Sequence, residues 1–295
     1  MPRKGIGGRM SHFLVTVLLP KQPISRDNAE AMAGVLLAPY DEDLEVKEYD
    51  RRCYCVGEKA RREAREKVDA QARFQPIHEK YGKLGVSLWE EKGTKEQREA
   101  YDNELDSAQA DVEQEQHALM AASPDCDRAD PGCGECHGGG TFRSTRNPKA
   151  RWDWFQVGGR WTGTFTGYDP EKDRSNTETC FLCRGTGLRD DAIGTQMRLE
   201  DPEYKCNGCQ GTGEAVKWPT GWRKYDGDVM PVSMLPGDLV PYALVTPDGE
   251  WHERATMGWW GCSSGVMRPE EWRKRAGELL AANKDCWAIV CDCHI

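Results

Sequence analysis

The chain has 295 residues, of which 38% are hydrophobic and 30% charged, and a formal net charge of −9 at pH 7. That length suits one large domain or two ordinary ones, no apolar run reaches the length of a membrane span, and the acidic balance argues against a general nucleic-acid coat, which needs a basic surplus. Thirteen cysteines, an odd number with six of them in C-x-x-C pairs beside glycines, read as metal knuckles in a reducing compartment rather than as a disulfide framework, so the expected location is the cytoplasm.

The start, MPRKGIGGRMSHFLVTVLLP, is basic and then apolar like a signal peptide. Its apolar run covers only Phe13 to Leu19, is interrupted by Thr16 and lacks a small-residue cleavage site, so residues 12–19 are expected as a first β-strand. Asp27 to Leu37 reads as a short helix ending near Pro39, and Leu44 to Tyr54 as a second strand. From Glu58 to about Met120 the composition turns to Glu, Lys, Arg, Gln and Ala. Pro76 and Gly82–Gly85 are expected to break this region into two or more helices, forming a solvated helical hairpin with one narrow apolar stripe.

From Cys126 to Gly213 the chain is rich in glycine, cysteine and aromatics. Within it, RWDWFQVGGRW (151–161) suggests a two-residue hairpin turn at Gly158-Gly159 between strands 154–157 and 160–165. Further on, PYALV, TPDG and EWHERAT read as strand, turn and strand. In MGWWG (257–261) two adjacent tryptophans point to opposite faces of a strand, which leaves one exposed or at an interface. Pro269 opens an amphipathic helix carrying Trp272, Leu279 and Leu280, and CWAIVCDCHI suits a buried C-terminal strand. The expected fold is α+β, with a mostly antiparallel sheet using both termini. Residues 10–57 and 216–295 supply the core, 58–122 a charged helical insert, and 126–215 a zinc-binding β-hairpin module that includes the GGRW turn.

Three segments share the pattern C-x-x-C-x-G-x-G: CGECHGGG at 133, CFLCRGTG at 180 and CNGCQGTG at 206. Two thiolates two residues apart face one Zn²⁺ only if the chain turns sharply, and the glycines permit that turn. Cys180, Cys183, Cys206 and Cys209 form a natural quartet. Cys133 and Cys136 need further donors, for which Cys126, His137 and the C-x-C pairs at 53/55 and 291/293 are candidates. No open coordination position is implied, so the expected cofactor is structural zinc.

These segments resemble the cysteine-rich zinc region of DnaJ-type co-chaperones. The likeness covers about 80 residues and three knuckles where that family has four, and the helical segment contains no His-Pro-Asp triplet. It implies a zinc hairpin suited to binding protein, without co-chaperone activity. A broader resemblance rests on MSHFLVTV (10–17), LAPYDEDLEV (37–46), KARWDWFQVGGRWTG (149–163), TPDGEWHERATMGWWG (246–261) and CDCHI (291–295). Together these are similar to a family of uncharacterised bacteriophage proteins. That likeness implies a phage or prophage origin, which makes the expected cytoplasm that of a host cell, and brings no activity with it. One departure is Cys291, where an apolar residue is expected before Asp-Cys-His-Ile.

The remaining polar residues with chemical potential lie beside tryptophans. His12, Asp153, Arg160, His252 and His294 are candidate ligand-binding residues. Arg160 is suited to fork onto phosphate or carboxylate, the tryptophans to stack a planar group, and a histidine to act as base. In the competing structural reading, the tryptophans pack where the zinc module meets the sheet and Asp153 pairs with Arg160. A Cys293–His294 nucleophile pair is disfavoured, because adjacent strand residues face opposite ways. The leading expectation is therefore a zinc-stabilised phage protein that engages a host protein. The alternatives are a small enzyme or ligand-sequestering protein for a nucleotide-like anion, and a nucleic-acid binder using Arg143, Arg146, Lys149 and Arg151.

Overall fold

A computed structural model describes residues 12–23, 25–86, 93–170, 172–217, 227–258 and 263–295. Trp259 and Trp260 of the MGWWG segment lie outside the described residues. In chain order the first elements are β1 (His12–Leu19), α1 (Arg26–Leu37), β2 (Tyr49–Arg52), α2 (Glu58–Lys67), α3 (Ala70–Gly82) and α4 (Lys95–Ala121). Next come β3 (Thr141–Ser144), β4 (Trp154–Val157), β5 (Thr177–Thr179), α5 (Ala192–Glu200), β6 (Glu214–Val216) and β7 (Val229–Pro231). The last are β8 (Ala243–Val245), β9 (Trp251–Glu253), β10 (Thr256–Met257), β11 (Ser263–Ser264), α6 (Pro269–Ala282) and β12 (Trp287–His294). The mixture is α+β with mostly antiparallel pairing, and no described helix is long and apolar enough to cross a membrane.

The chain divides into two compact units, one from Met1–Leu36, Phe155–Glu250 and Asn283–His294, the other from Leu37–Trp154 and Trp251–Ala282 with Ile295. The first unit is organised by β1 and β12, which pair antiparallel from His12↔His294 to Leu19↔Trp287. β8 runs parallel to β1, and β7 and β4 lie on the other side of β12. Both central strands are buried on both faces, which their β-branched and aliphatic runs (LVTVLL, AIV) suit. Cys291 is fully buried and fills the place of an apolar side chain in this sheet. The TPDG turn closes after β8, with Thr246 N–H donating to Glu250 O and Gly249 N–H to Thr246 O.

The second unit holds the helical insert. Its helices break at Val68–Asp69, where Asp69 caps α3 by accepting from Ala72 N–H at 3.0 Å. Pro76, expected as a break, lies inside α3 instead. Thr94 and Gln97 form a reciprocal capping box on the 27-residue α4. α3 and α4 share a small core of Tyr81, Val86 and Tyr101, and α2 faces inward only with Ala60 and Ala64. The second expected strand shortens to β2, which pairs with β3 in the register Tyr49↔Ser144 to Arg52↔Thr141. Trp152 is buried in this unit, its indole N–H donating to Leu37 O, whereas Trp154 is exposed.

The stretch 126–215 contributes to both units. The knuckle at 133 belongs with 53–55 in the second unit, and the knuckles at 180 and 206 belong to the first. The GGRW segment is also not a hairpin. β4 is followed by a 3₁₀ turn at Gly159–Trp161 and no return strand, because carboxylates of the first unit capture the backbone of the turn.

Candidate metal centres

Two clusters of four buried cysteines stand out, Cys53/Cys55/Cys133/Cys136 and Cys180/Cys183/Cys206/Cys209. The second is the simpler. β5 and β6 pair with Thr179 opposite Glu214, so the ladder delivers Cys180 beside Gly213, and Cys180 N–H donates to Gly213 O at 2.9 Å. The other knuckle reciprocates, with Cys206 N–H donating to Gly187 O at 2.9 Å. Gly187 N–H points at Cys183 Sγ and Gly213 N–H at Cys209 Sγ, each at 3.3 Å, an arrangement that stabilises thiolate. Thr186 and Thr212 hydroxyls donate to Cys183 O and Cys209 O at 2.7 Å. The two knuckles are thus related by a local two-fold.

Glycine is required at the contact between them. Gly187 (φ +75°) and Gly213 (φ +82°) lie so close to the opposite knuckle that a Cβ would come within 2.4 Å of Gly211 O and 2.3 Å of Gly185 O, respectively.

The first cluster repeats this plan with one change. β2 and β3 end with Arg52 opposite Thr141, delivering Cys53 beside Gly140, and Cys53 N–H donates to Gly140 O at 2.8 Å. The knuckle at 133 has the same backbone as the other two: His137, Arg184 and Gln210, each just after the second cysteine, have φ of +48°, +51° and +55°. The partner knuckle is shortened from C-x-x-C to the C-x-C of Cys53-Tyr54-Cys55. In each copy a strand leads into the first cysteine pair, an excursion follows, and a C-x-x-C-x-G-x-G knuckle leads into the returning strand. The excursion is α5 in one copy and the whole α2–α4 insert in the other.

The sulfur geometry suits one ion per cluster. Neighbouring Sγ atoms lie 3.6 Å (Cys53–Cys133), 3.4 Å (Cys55–Cys136), 3.8 Å (Cys180–Cys206) and 3.6 Å (Cys183–Cys209) apart. The edge of a tetrahedron of sulfurs around zinc is about 3.8 Å, while a disulfide needs about 2.0 Å. All twelve cysteines among the described residues are free thiols. The Cys133 thiol is drawn down to about 6 by the backbone N–H groups of Cys136 and Glu135. Cys209 falls to about 7, burial being outweighed by the N–H groups of Gly213 and Gly211 and by Cys183. Burial pushes Cys55 up to about 12 and Cys206 up to about 11. Four buried thiols in contact can all ionise only around a cation, and the thiolate is the ligand form. Each cluster can therefore hold a metal ion, with every donor position filled by sulfur.

Cys133, Cys136, Cys180, Cys183, Cys206 and Cys209 all lie in these clusters. Of the candidates for completing the set around Cys133 and Cys136, the pair at 53/55 does so. Cys126 bonds Asp127 instead, His137 is exposed, and Cys291 and Cys293 are buried in the sheet. Burial holds the Cys293 thiol far above its ordinary range, which removes it as a nucleophile.

The five candidate ligand-binding residues are divided between the units. His12, Arg160 and His294 belong to the first, Asp153 and His252 to the second. In the first unit the organising group is Asp292, fully buried, which accepts from His12 Nδ1 at 2.9 Å, Arg160 backbone N–H at 2.9 Å and Gln156 Nε2 at 3.5 Å. The His294 ring packs edge-on against His12 with centroids 5.0 Å apart. Arg160 thus joins this cluster through its backbone rather than its guanidinium. Asp228, also fully buried, accepts from Gly163 N–H at 2.8 Å and Thr162 Oγ1 at 3.2 Å. Gly158 and Gly159 let the turn approach: a Cβ would lie 2.4 Å from the Asp228 carboxylate or 2.5 Å from Asp292 Cβ. In the second unit, His252 Nδ1 is 3.1 Å from Arg275 Nη2.

The basic run 143–151 is largely matched by acids. Arg143 pairs with Glu48 (2.8 Å) and Asp50 (3.1 Å), Arg146 with Glu42 (3.3 Å) and Arg151 with Glu253 (3.1 Å).

Cys53 and Cys55 stand in the sequence only as one candidate pair among several, and Asp228 and Gln156 are not among its candidates. The signal for the first two was the unfilled need of Cys133 and Cys136 for two donors. Comparison with protein-family models, curated proteins and solved structures finds no match to the chain.

Proposed function

We propose that the chain is a zinc-stabilised binding protein of bacteriophage origin that engages a host protein. The reading is carried by one observation: both metal-site copies hold out a large aromatic side chain at the equivalent position. Tyr54 follows the first cysteine of one site and is 68% exposed, and Phe181 follows the first cysteine of the other and is 78% exposed. Exposed aromatics beside a closed metal site suit anchors for a protein partner, and their apolar rings are left in solvent by the fold. All-sulfur coordination supports zinc in a structural role, because it leaves no position for substrate or water. Pairing of the 143–151 arginines with carboxylates weighs against the nucleic-acid reading.

The test is affinity capture of the tagged chain from phage-infected cells, with zinc measured on the same sample. A host protein recovered in near-stoichiometric amount, and lost in the Tyr54→Ser/Phe181→Ser double variant while both metals stay bound, is the expected result. Equal capture by the variant, or a bound small molecule with no protein, would contradict the reading.

A further inference from the structure

The two metal copies differ in what they enclose. The second closes an excursion of 26 residues and the first one of 80, the span from Cys53 to Cys133. That longer excursion contains the entire helical insert, and α2 begins three residues after Cys55. We infer that metal occupancy at the first site is the clasp that docks α2 against α4, so that the surface shared by α2 and α4 exists only in the metal-loaded protein.

The attachment of α2 runs through the site. Glu58 N–H, at the first position of α2, donates to Cys55 O at 3.1 Å, and Gly57 N–H to Arg128 O at 2.9 Å. Arg61 reaches back from α2 to Val56 O at 2.7 Å and to Tyr54 O, both carbonyls in or beside the C-x-C loop. Lys59 pairs at 2.6 Å with Asp125, on the segment that leads into the Cys133 knuckle.

Beyond the site, α2 is held by its packing along α4, to which it brings only small side chains. It has ten residues, EKARREAREK, with only alanines buried, and an isolated helix of that length is marginal in water. α3 and α4 are better provided, with the Tyr81/Val86/Tyr101 core and the Thr94 capping box. Loss of the first metal therefore frees α2 before α3 or α4.

α2 also forms one wall of a cavity of about 920 Å³, through Arg61, Ala64 and Arg65, which face Ala110, His117 and Met120 of α4. Releasing the clasp dissolves that cavity. The inference rests on metal filling both sites, and not on which partner the protein binds.

The experiment compares full-length wild type with Cys55→Ser and Cys183→Ser by zinc content and amide hydrogen exchange. Cys55→Ser is expected to lose one zinc and to show exchange across α2 faster by on the order of 100-fold, with β1 and β12 still protected. Cys183→Ser is expected to lose the other zinc and leave α2 exchange unchanged. Graded chelation of wild type provides a measurement independent of variant folding, and α2 protection should fall together with zinc loss from the first site. Zinc lost from that site with α2 still protected, in the variant or under chelation, overturns the clasp alone. A chain that binds no metal at either site overturns the clasp together with the zinc reading.

Discussion

Two buried carboxylates of the first unit fix the GGRW turn. Asp292 gathers His12 and the Arg160 N–H, and Asp228 gathers Gly163 and Thr162. Replacing Asp292 with alanine leaves a buried backbone donor and a histidine N–H without their acceptor and is expected to lower unfolding stability by about 3 kcal/mol. Gly159→Ala places a methyl against Asp292 Cβ at a left-handed φ of +55° and is expected to cost about 2 kcal/mol. Urea unfolding at constant zinc measures both, and losses below about 0.5 kcal/mol would mean the turn tolerates change like ordinary surface. The same contacts explain why this segment was misread. Gly-Gly between aromatic runs is local hairpin chemistry, but here the glycines answer to carboxylates about 70 and 130 positions along the chain, which no window around the turn contains.

At the scale of elements, a two-stranded ladder feeding a cysteine–glycine contact is used twice. Chain-entropy reasoning assigns closure of the ~80-residue loop about 4.5 kcal/mol and of the ~26-residue loop about 3.5 kcal/mol, so an ion at the first site would have the larger effect on the chain it encloses. Asp125 adds a pH-dependent attachment for α2. Its carboxyl is held below the usual range by hydrogen bonds from Lys59 and then Arg128. A carboxyl lowered in the folded state contributes stability that is complete above its ordinary pKa and is lost as pH falls through the folded value. Asp125→Asn should therefore speed α2 exchange at neutral pH, and the gap from wild type should close as pH drops below the ordinary carboxylate range. A gap that stays constant with pH would remove the carboxylate from this role. The knuckles themselves were legible because each is a local pattern of cysteine and glycine. The Cys53/Cys55 pairing was only one candidate among several, because its partner knuckle lies beyond the entire helical insert.

Across the whole molecule, α+β architecture and a sheet built from both termini followed from hydrophobic runs at each end of the sequence, where β-branched content and burial agree. The two compact units did not, because each is assembled from segments far apart in the chain. The acidic total and the paired arginines of 143–151 predict no salt-sensitive affinity for duplex DNA or single-stranded RNA at ordinary ionic strength. Fluorescence anisotropy checks this, and binding that falls on charge reversal of Arg143, Arg146, Lys149 and Arg151 would restore the nucleic-acid reading. We propose that eight of the cysteines hold two structural zinc ions. The most direct test is elemental analysis of the purified chain combined with thiol titration before and after chelation. Two zinc ions per chain, with eight thiols becoming reactive only as the zinc is removed, is the predicted result. One ion or none, iron in place of zinc, or knuckle thiols already reactive in the native protein would contradict it.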